Sequence, residues 1–164
     1  MTITVETGAV VANADSYLSV ADADTYFSGH GSPTTWTGAT TAEKEAALKY
    51  ATRWLDSNYK WYSDIYSTSQ VLGWPRVAYT DHDGRSVGGL SVMPQDLLDA
   101  TAEMALEYLS NEFVSSTQGI SRERIGSAEV QYSGGSSKRT YTYVAGLLIN
   151  LGVKRGSNRR VRKG

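Results

Sequence analysis

Thr40-Thr41-Ala42-Glu43-Lys44-Glu45-Ala46-Ala47-Leu48-Lys49-Tyr50-Ala51-Thr52-Arg53-Trp54-Leu55-Asp56-Ser57-Asn58 is the stretch whose reading decides the fold. Thr40 and Glu43 stand at the Thr-x-x-Glu spacing of a capping box, in which each side chain satisfies a backbone N–H left over at a helix start. Ala47, Tyr50, Ala51, Trp54 and Leu55 then recur every three or four residues and make one apolar stripe. Glu43, Lys44, Glu45, Arg53 and Asp56 fall mostly off it. The pattern predicts a helix over about residues 41–58.

A second helix is predicted from Pro94 to about Asn111, because proline is welcome in a first turn, where its missing N–H has no partner to lose. Leu97, Leu98, Thr101, Met104, Ala105 and Tyr108 give its buried face, while Glu103 and Glu107 leave an acidic, faintly self-repelling outer one. Ser19, with Asp22 three residues on, opens a short helix to about Phe27, which Gly29, Gly31 and Pro33 end. A last helix is expected over about 142–151, with Val144, Leu147, Leu148 and Leu151 inward and Gly152 as its C-cap. Residues 1–18 alternate weakly and read as an extended arm with little core of its own. Ile125, Ala128, Val130 and Tyr132 suggest a short strand or hairpin near 120–132. The fold class that follows is mainly α: a small helical bundle with that N-terminal arm, that strand or hairpin, and a flexible basic C-terminal tail. The divisions are 1–18, the arm; 19–152, the helical domain; and 153–164, the tail.

The tail carries the strongest charge signal. Six of the sixteen Lys and Arg residues, Lys154, Arg155, Arg159, Arg160, Arg162 and Lys163, lie in the last eleven positions, and no acidic residue does. The preceding chain is left with a net charge of −7 beneath a nearly neutral total of −1. A run of this kind cannot bury enough apolar surface to offset its ordering entropy, and it suits an acidic partner, either phosphate or a negative protein surface. The alternative is a solubilising end with no partner.

The remaining composition narrows the classes. A length of 164 residues with 40% apolar and 20% charged side chains suits one soluble domain with a real core. No apolar run is long enough to cross a bilayer, and Met1–Glu6 predicts no secretory leader. The absence of cysteine excludes disulfides, thiolate metal sites and cysteine nucleophiles. His30 and His82 are the only histidines, and neither has a second ligand at helical spacing, so no zinc site is expected. Asp81-x-Asp83-Gly84 resembles part of a calcium loop, but alignment on Gly84 puts Tyr79 and Leu90 where oxygen ligands are required. No phosphate-binding glycine loop or nucleophile elbow is present. No catalytic residue, metal or cofactor is expected.

Eleven tyrosines and four tryptophans exceed what a core needs and raise the prospect of a wide interface. Tyr59-Lys60-Trp61-Tyr62 and Lys138-Arg139-Thr140-Tyr141-Thr142-Tyr143 interleave cations with rings, a mixture that can track phosphates and stack bases. The acidic body opposes approach to a polyanion. Leu72-Gly73-Trp74-Pro75-Arg76 reads as a tight aromatic turn. Trp54, Trp74, Pro75 and Arg76 are expected to form a structural knot, with the Trp74 ring capping the faces of Trp54 and Tyr108.

The order of several pieces resembles a known group. They are Ala12–Ser19 leading into Ala21–Phe27, then Trp36, Ala42–Leu48, Trp54-Leu55-Asp56 and Leu72–Arg76. Met93–Leu97, Ala100–Leu106, Ile125–Tyr132 and the Tyr141–Leu148 segment complete the set. Together they resemble the head-tail connector (adaptor) family of tailed bacteriophages, whose members often carry the label DnaT-like single-stranded-DNA-binding. The likeness covers roughly residues 5–151 and leaves the tail outside. It implies a structural virion protein at the head-tail junction, assembled in the host cytoplasm. It also implies a homo-oligomeric ring of twelve copies between the portal protein and the next neck or tail protein, in transient contact with genomic DNA and with no membrane partner. The tail would then dock on the portal or on DNA. The label implies a rival role, single-stranded-DNA binding in replication.

Overall fold

The computed structural model describes residues 2–110, 123–125, 128–130 and 141–156. Two helices make its centre: α3 (Thr41–Asn58) and α4 (Gln95–Leu109). They pack against each other more extensively than any other pair of elements. The α3 N-terminus closes as its sequence predicts. The Thr40 hydroxyl accepts from the Glu43 amide and the Glu43 carboxylate accepts from Thr40, an arrangement that contributes about 1 kcal/mol. Ala47, Leu48, Ala51 and Leu55 from α3 meet Leu97, Ala100, Met104 and Ala105 from α4, all buried. The small alanines on both faces let the two backbones approach.

Shorter elements wrap this pair. α1 (Val20–Gly29), with Ser19 as N-cap, packs Phe27 into the core against Trp36 of the single-turn α2 (Thr34–Thr37). The Tyr26 hydroxyl donates to Glu103 at 2.7 Å and ties α1 to α4, so Glu103 is engaged in the fold rather than standing on a bare acidic face. β1 (Tyr59–Trp61) continues directly from α3. β2 (Tyr79–Thr80) and β3 (Ser86–Val87) make a small hairpin around Asp81 to Arg85. β4 (Glu123–Ile125) and β5 (Ala128–Val130) pair antiparallel, with Glu123 opposite Val130, which supplies the hairpin expected near 120–132. α5 (Thr142–Leu147) packs on α4, and β6 (Gly152–Lys154) pairs antiparallel with β1. The molecule is thus a small, mainly helical fold with short antiparallel strand pairs.

Three expectations change. The first eighteen residues are not an extended arm. Glu6, 1% exposed, folds them into a loop by accepting from the amides of Gly8, Val10 and Val11 at 2.8–3.1 Å. A buried carboxylate is tolerable there because three backbone donors surround it. Asp15 bonds the Thr4 amide and pairs with Lys49 of α3, while Ala14, Tyr17 and Leu18 enter the core. Second, the last helix stops at Leu147. Gly152 is a strand residue, where a Cβ would lie 2.8 Å from the Lys60 carbonyl oxygen. Third, the segment assigned to the tail begins inside the fold, since Val153 and Lys154 belong to β6.

Candidate nucleic-acid interface

The Trp74-Pro75-Arg76 turn is held by a hub that sits at the end of α3. Asp56 Oδ1 accepts from the Tyr17 hydroxyl at 2.6 Å and from Trp61 Nε1 at 2.8 Å, and Oδ2 accepts from the Gly73 amide at 2.9 Å. The Tyr17 oxygen in turn accepts from the Trp74 amide. Burial, and then the Asp56 charge, push the Tyr17 hydroxyl pKa well above its usual value. Gly73 must be glycine: a Cβ there would lie 2.5 Å from both Asp56 Oδ1 and Trp61 Nε1.

Trp74 is fully buried, edge-on to Trp61 at 6.1 Å, and its Nε1 finds no acceptor among the described residues. It does not cap Trp54 and Tyr108. Trp54 contacts Tyr59 and Tyr141, while Tyr108 lies against Tyr50. A line of rings, Trp54–Tyr59–Trp61–Trp74, connects the two tryptophans instead. Arg76 points no free charge outward. Its guanidinium donates to the carbonyls of Trp61, Tyr62, Ser63 and Gly73, and burial lowers its pKa from the usual value. Pro75 is buried, and its carbonyl accepts from Gln70 and from the Tyr66 amide.

This hub fixes the chain at Trp61 and so fixes the strand that the basic segment joins. In the β1–β6 ribbon Tyr59 opposes Lys154, Lys60 opposes Val153 and Trp61 opposes Gly152. Period-two alternation sorts Tyr59-Lys60-Trp61-Tyr62: Tyr59 and Trp61 go to the core, while Lys60 and Tyr62 go to the surface. Arg155 extends the ribbon, its amide donating to Asn58 at 2.7 Å and its Nε to the Tyr59 carbonyl at 3.1 Å. Arg159, Arg160, Arg162 and Lys163 lie outside the described residues, as do Lys138, Arg139 and Thr140. Tyr141 packs edge-on to Trp54, and Tyr143 is exposed.

Beside the ribbon opens a cleft of about 640 Å³, a volume typical of ligand sites. Tyr59, Gly152, Val153 and Lys154 form its floor, Tyr79 to His82 one wall, and Ala145, Ile149 and Asn150 the other. Tyr62 stands at its edge, T-shaped against Tyr79 at 6.2 Å. The walls are joined twice, by the Tyr79 hydroxyl donating to the Asn150 carbonyl and by a 2.8 Å bond between His82 Nδ1 and Asn150 Oδ1. Burial, then the nearby Asp81 charge, push the Tyr79 pKa up to about 12.

The rim's acidic groups are already engaged. Asp81 accepts from the Asp83 and Arg85 amides, and Asp83 pairs with Arg85 and faces His82 Nε2 at 3.2 Å. No acidic residue follows Glu129 in the chain, so the segment that forms α5 and β6 brings only positive charge. Sequence reasoning missed the hub and the cleft, although the alternation in Tyr59–Tyr62 was a usable strand signal. Among the described residues no group of three His, Asp or Glu side chains can hold a metal, and no helix is long and apolar enough to cross a membrane.

A family model described as "Putative DnaT-like ssDNA binding protein" matches residues 1–164, the basic segment included. A search of curated proteins and a search of solved structures each returned no match. The family match overturns the head-tail adaptor reading, and with it the portal, neck and twelve-copy ring as partners. The virion location rested on the same resemblance. Its motifs were a set of short pieces, mostly helical, none specific alone. The chain belongs to the DnaT-like single-stranded-DNA-binding protein family.

Proposed function

We propose that this protein binds single-stranded DNA without sequence preference, as a non-catalytic replication factor, through the basic C-terminal segment and the surface where that segment leaves the fold. The observation that carries the reading is the anchoring of Lys154 and Arg155 on β1, beside a cleft edged by Tyr62 and Tyr79. A cationic chain rooted next to open aromatic rings combines the two elements that single-strand binders use, phosphate neutralisation and base stacking. The family description supports the same partner. The acidic body keeps nucleic acid off the other faces, so contact is confined to one side.

Phosphate contacts through Lys154, Arg155, Arg159, Arg160, Arg162 and Lys163 would release counterions. For six contacts on a single strand, log Kobs should fall with log salt at a slope of about −4. Replacing Arg159, Arg160, Arg162 and Lys163 together by glutamine tests the reading by fluorescence anisotropy on a labelled oligothymidylate. The slope should drop to about −1 to −2, with affinity falling at low salt. Unchanged binding and slope would assign the segment a solubilising role only.

A further inference from the structure

We infer that the cleft between β6, the β2–β3 hairpin and the end of α5 is a nucleobase subsite. The inference rests on the single-strand reading above and adds what the basic segment cannot supply, a way to sense bases. The cleft lies along β6, so a DNA strand held by Lys154 and Arg155 meets its mouth. Lys154 belongs to both features.

The stacking surface is Tyr62. The residue is 36% exposed and its ring is steadied by the T-shaped contact with Tyr79, while its backbone is held on both sides. The Tyr62 amide donates to Leu151, and its carbonyl accepts from Arg76. A base landing here meets a pre-positioned ring and, lining the same cleft, Ile149, which is 60% exposed. Duplex DNA hides base faces within its stack, so such a site discriminates in favour of single strands.

The polar group facing that base is the Asn150 amide. Its orientation follows from its neighbours. A carboxylate only accepts, so the atom 3.5 Å from Asp83 Oδ2 is the NH2, and Oδ1 takes the bond from His82 Nδ1. A contact of 3.5 Å is at the limit of a hydrogen bond and occupies only one of the two amide hydrogens. Asn150 therefore has a hydrogen to offer, and its oxygen keeps a second lone pair. Every base presents an acceptor to such a donor, a carbonyl oxygen on thymine, cytosine and guanine and a ring nitrogen on adenine.

The test compares anisotropy of three labelled strands of equal length: oligothymidylate, oligodeoxyadenylate and an abasic phosphodiester strand. Wild-type protein should bind thymidylate and adenylate alike and the abasic strand roughly tenfold more weakly, with one salt slope for all three. Tyr62→Ala should bring thymidylate to the abasic affinity without changing the slope. Asn150→Ala should weaken both base-bearing strands and leave the abasic strand unchanged. Equal affinity of the wild type for all three strands would overturn the subsite and leave single-strand binding standing. Absence of binding to any strand at low salt would overturn both.

Discussion

Replacing Asp56 by alanine should be the most damaging single polar substitution in this protein. Its carboxylate takes three donors, the Tyr17 hydroxyl, Trp61 Nε1 and the Gly73 amide, from three segments that it ties to the end of α3. Hydrogen bonds to a charged group contribute about 1.5–3 kcal/mol each, and orphaned buried donors add their own desolvation cost. The terms do not add in full, because solvent reaches the partly exposed Gly73 side, so the net loss should be about 3–5 kcal/mol. Against a typical total of about 5–15 kcal/mol this is a large fraction, and for a chain of this size it lowers Tm by roughly 6–20 °C. Asp56→Asn keeps the shape but aims an N–H at one donor, and should cost about 1–3 kcal/mol. Tyr17→Phe should cost a similar amount, since it removes a bond to Asp56 and also the acceptor of the Trp74 amide. Thermal melts followed by circular dichroism and tryptophan fluorescence give all three values, and the double variant gives the coupling. The Tyr17→Phe/Asp56→Ala pair should lose at least about 0.5 kcal/mol less than the sum of its parts. An Asp56→Ala melt within about 2 °C of wild type, or strict additivity, would refute the hub.

Other expectations follow from the same geometry. Truncation after Gly156 should leave Tm unchanged, whereas truncation after Gly152 removes Val153, Lys154 and the Arg155 bonds to Asn58 and Tyr59 and should lower it by several degrees; equal melts for the two would deny β6 a structural role. Alkaline pH should destabilise the fold, because Tyr79 has a folded pKa of about 12 against an ordinary 10, and Tyr17 is raised as well. A raised folded pKa contributes stability that is complete below pH 10 and is lost as pH climbs towards the folded value. Tyrosinate absorbance from these two rings should therefore appear together with loss of the circular dichroism signal, and normal titration in an intact fold would count against their burial.

What could be read from the chain was local. Thr40 with Glu43 and Ser19 with Asp22 announce helix starts by chemistry within three residues, and both caps form as spaced. The stripe from Ala47 to Leu55 needs only the helical period. What escaped depends on partners far away in sequence. β1 is three residues long, so its alternation is a brief signal, and its mate β6 lies more than ninety residues on. Glu6 looks like a surface acid until the amides of Gly8, Val10 and Val11 turn round it. Asp56 lies off the α3 stripe and reads as solvent-facing, yet it gathers Tyr17, Trp61 and Gly73. The basic run was visible as charge, but its root in a strand was not, because Val153 and Lys154 resemble the residues that follow them. Assignment to a phage adaptor failed for a related reason. Short fragments in order describe a scaffold, and scaffold similarity does not determine the partner.

The central claim is that one face of this protein, β6 with its cleft and the basic segment, engages single-stranded DNA. A competition titration tests it most directly: a labelled oligothymidylate bound to the full-length protein is challenged with an unlabelled single strand and with a duplex of equal length, over a range of salt. The account predicts displacement by the single strand at lower concentration than by the duplex, with affinity falling steeply as salt rises and the single-strand preference persisting, since stacking is not screened. Equal displacement by the duplex, or no measurable binding at low salt, would contradict it.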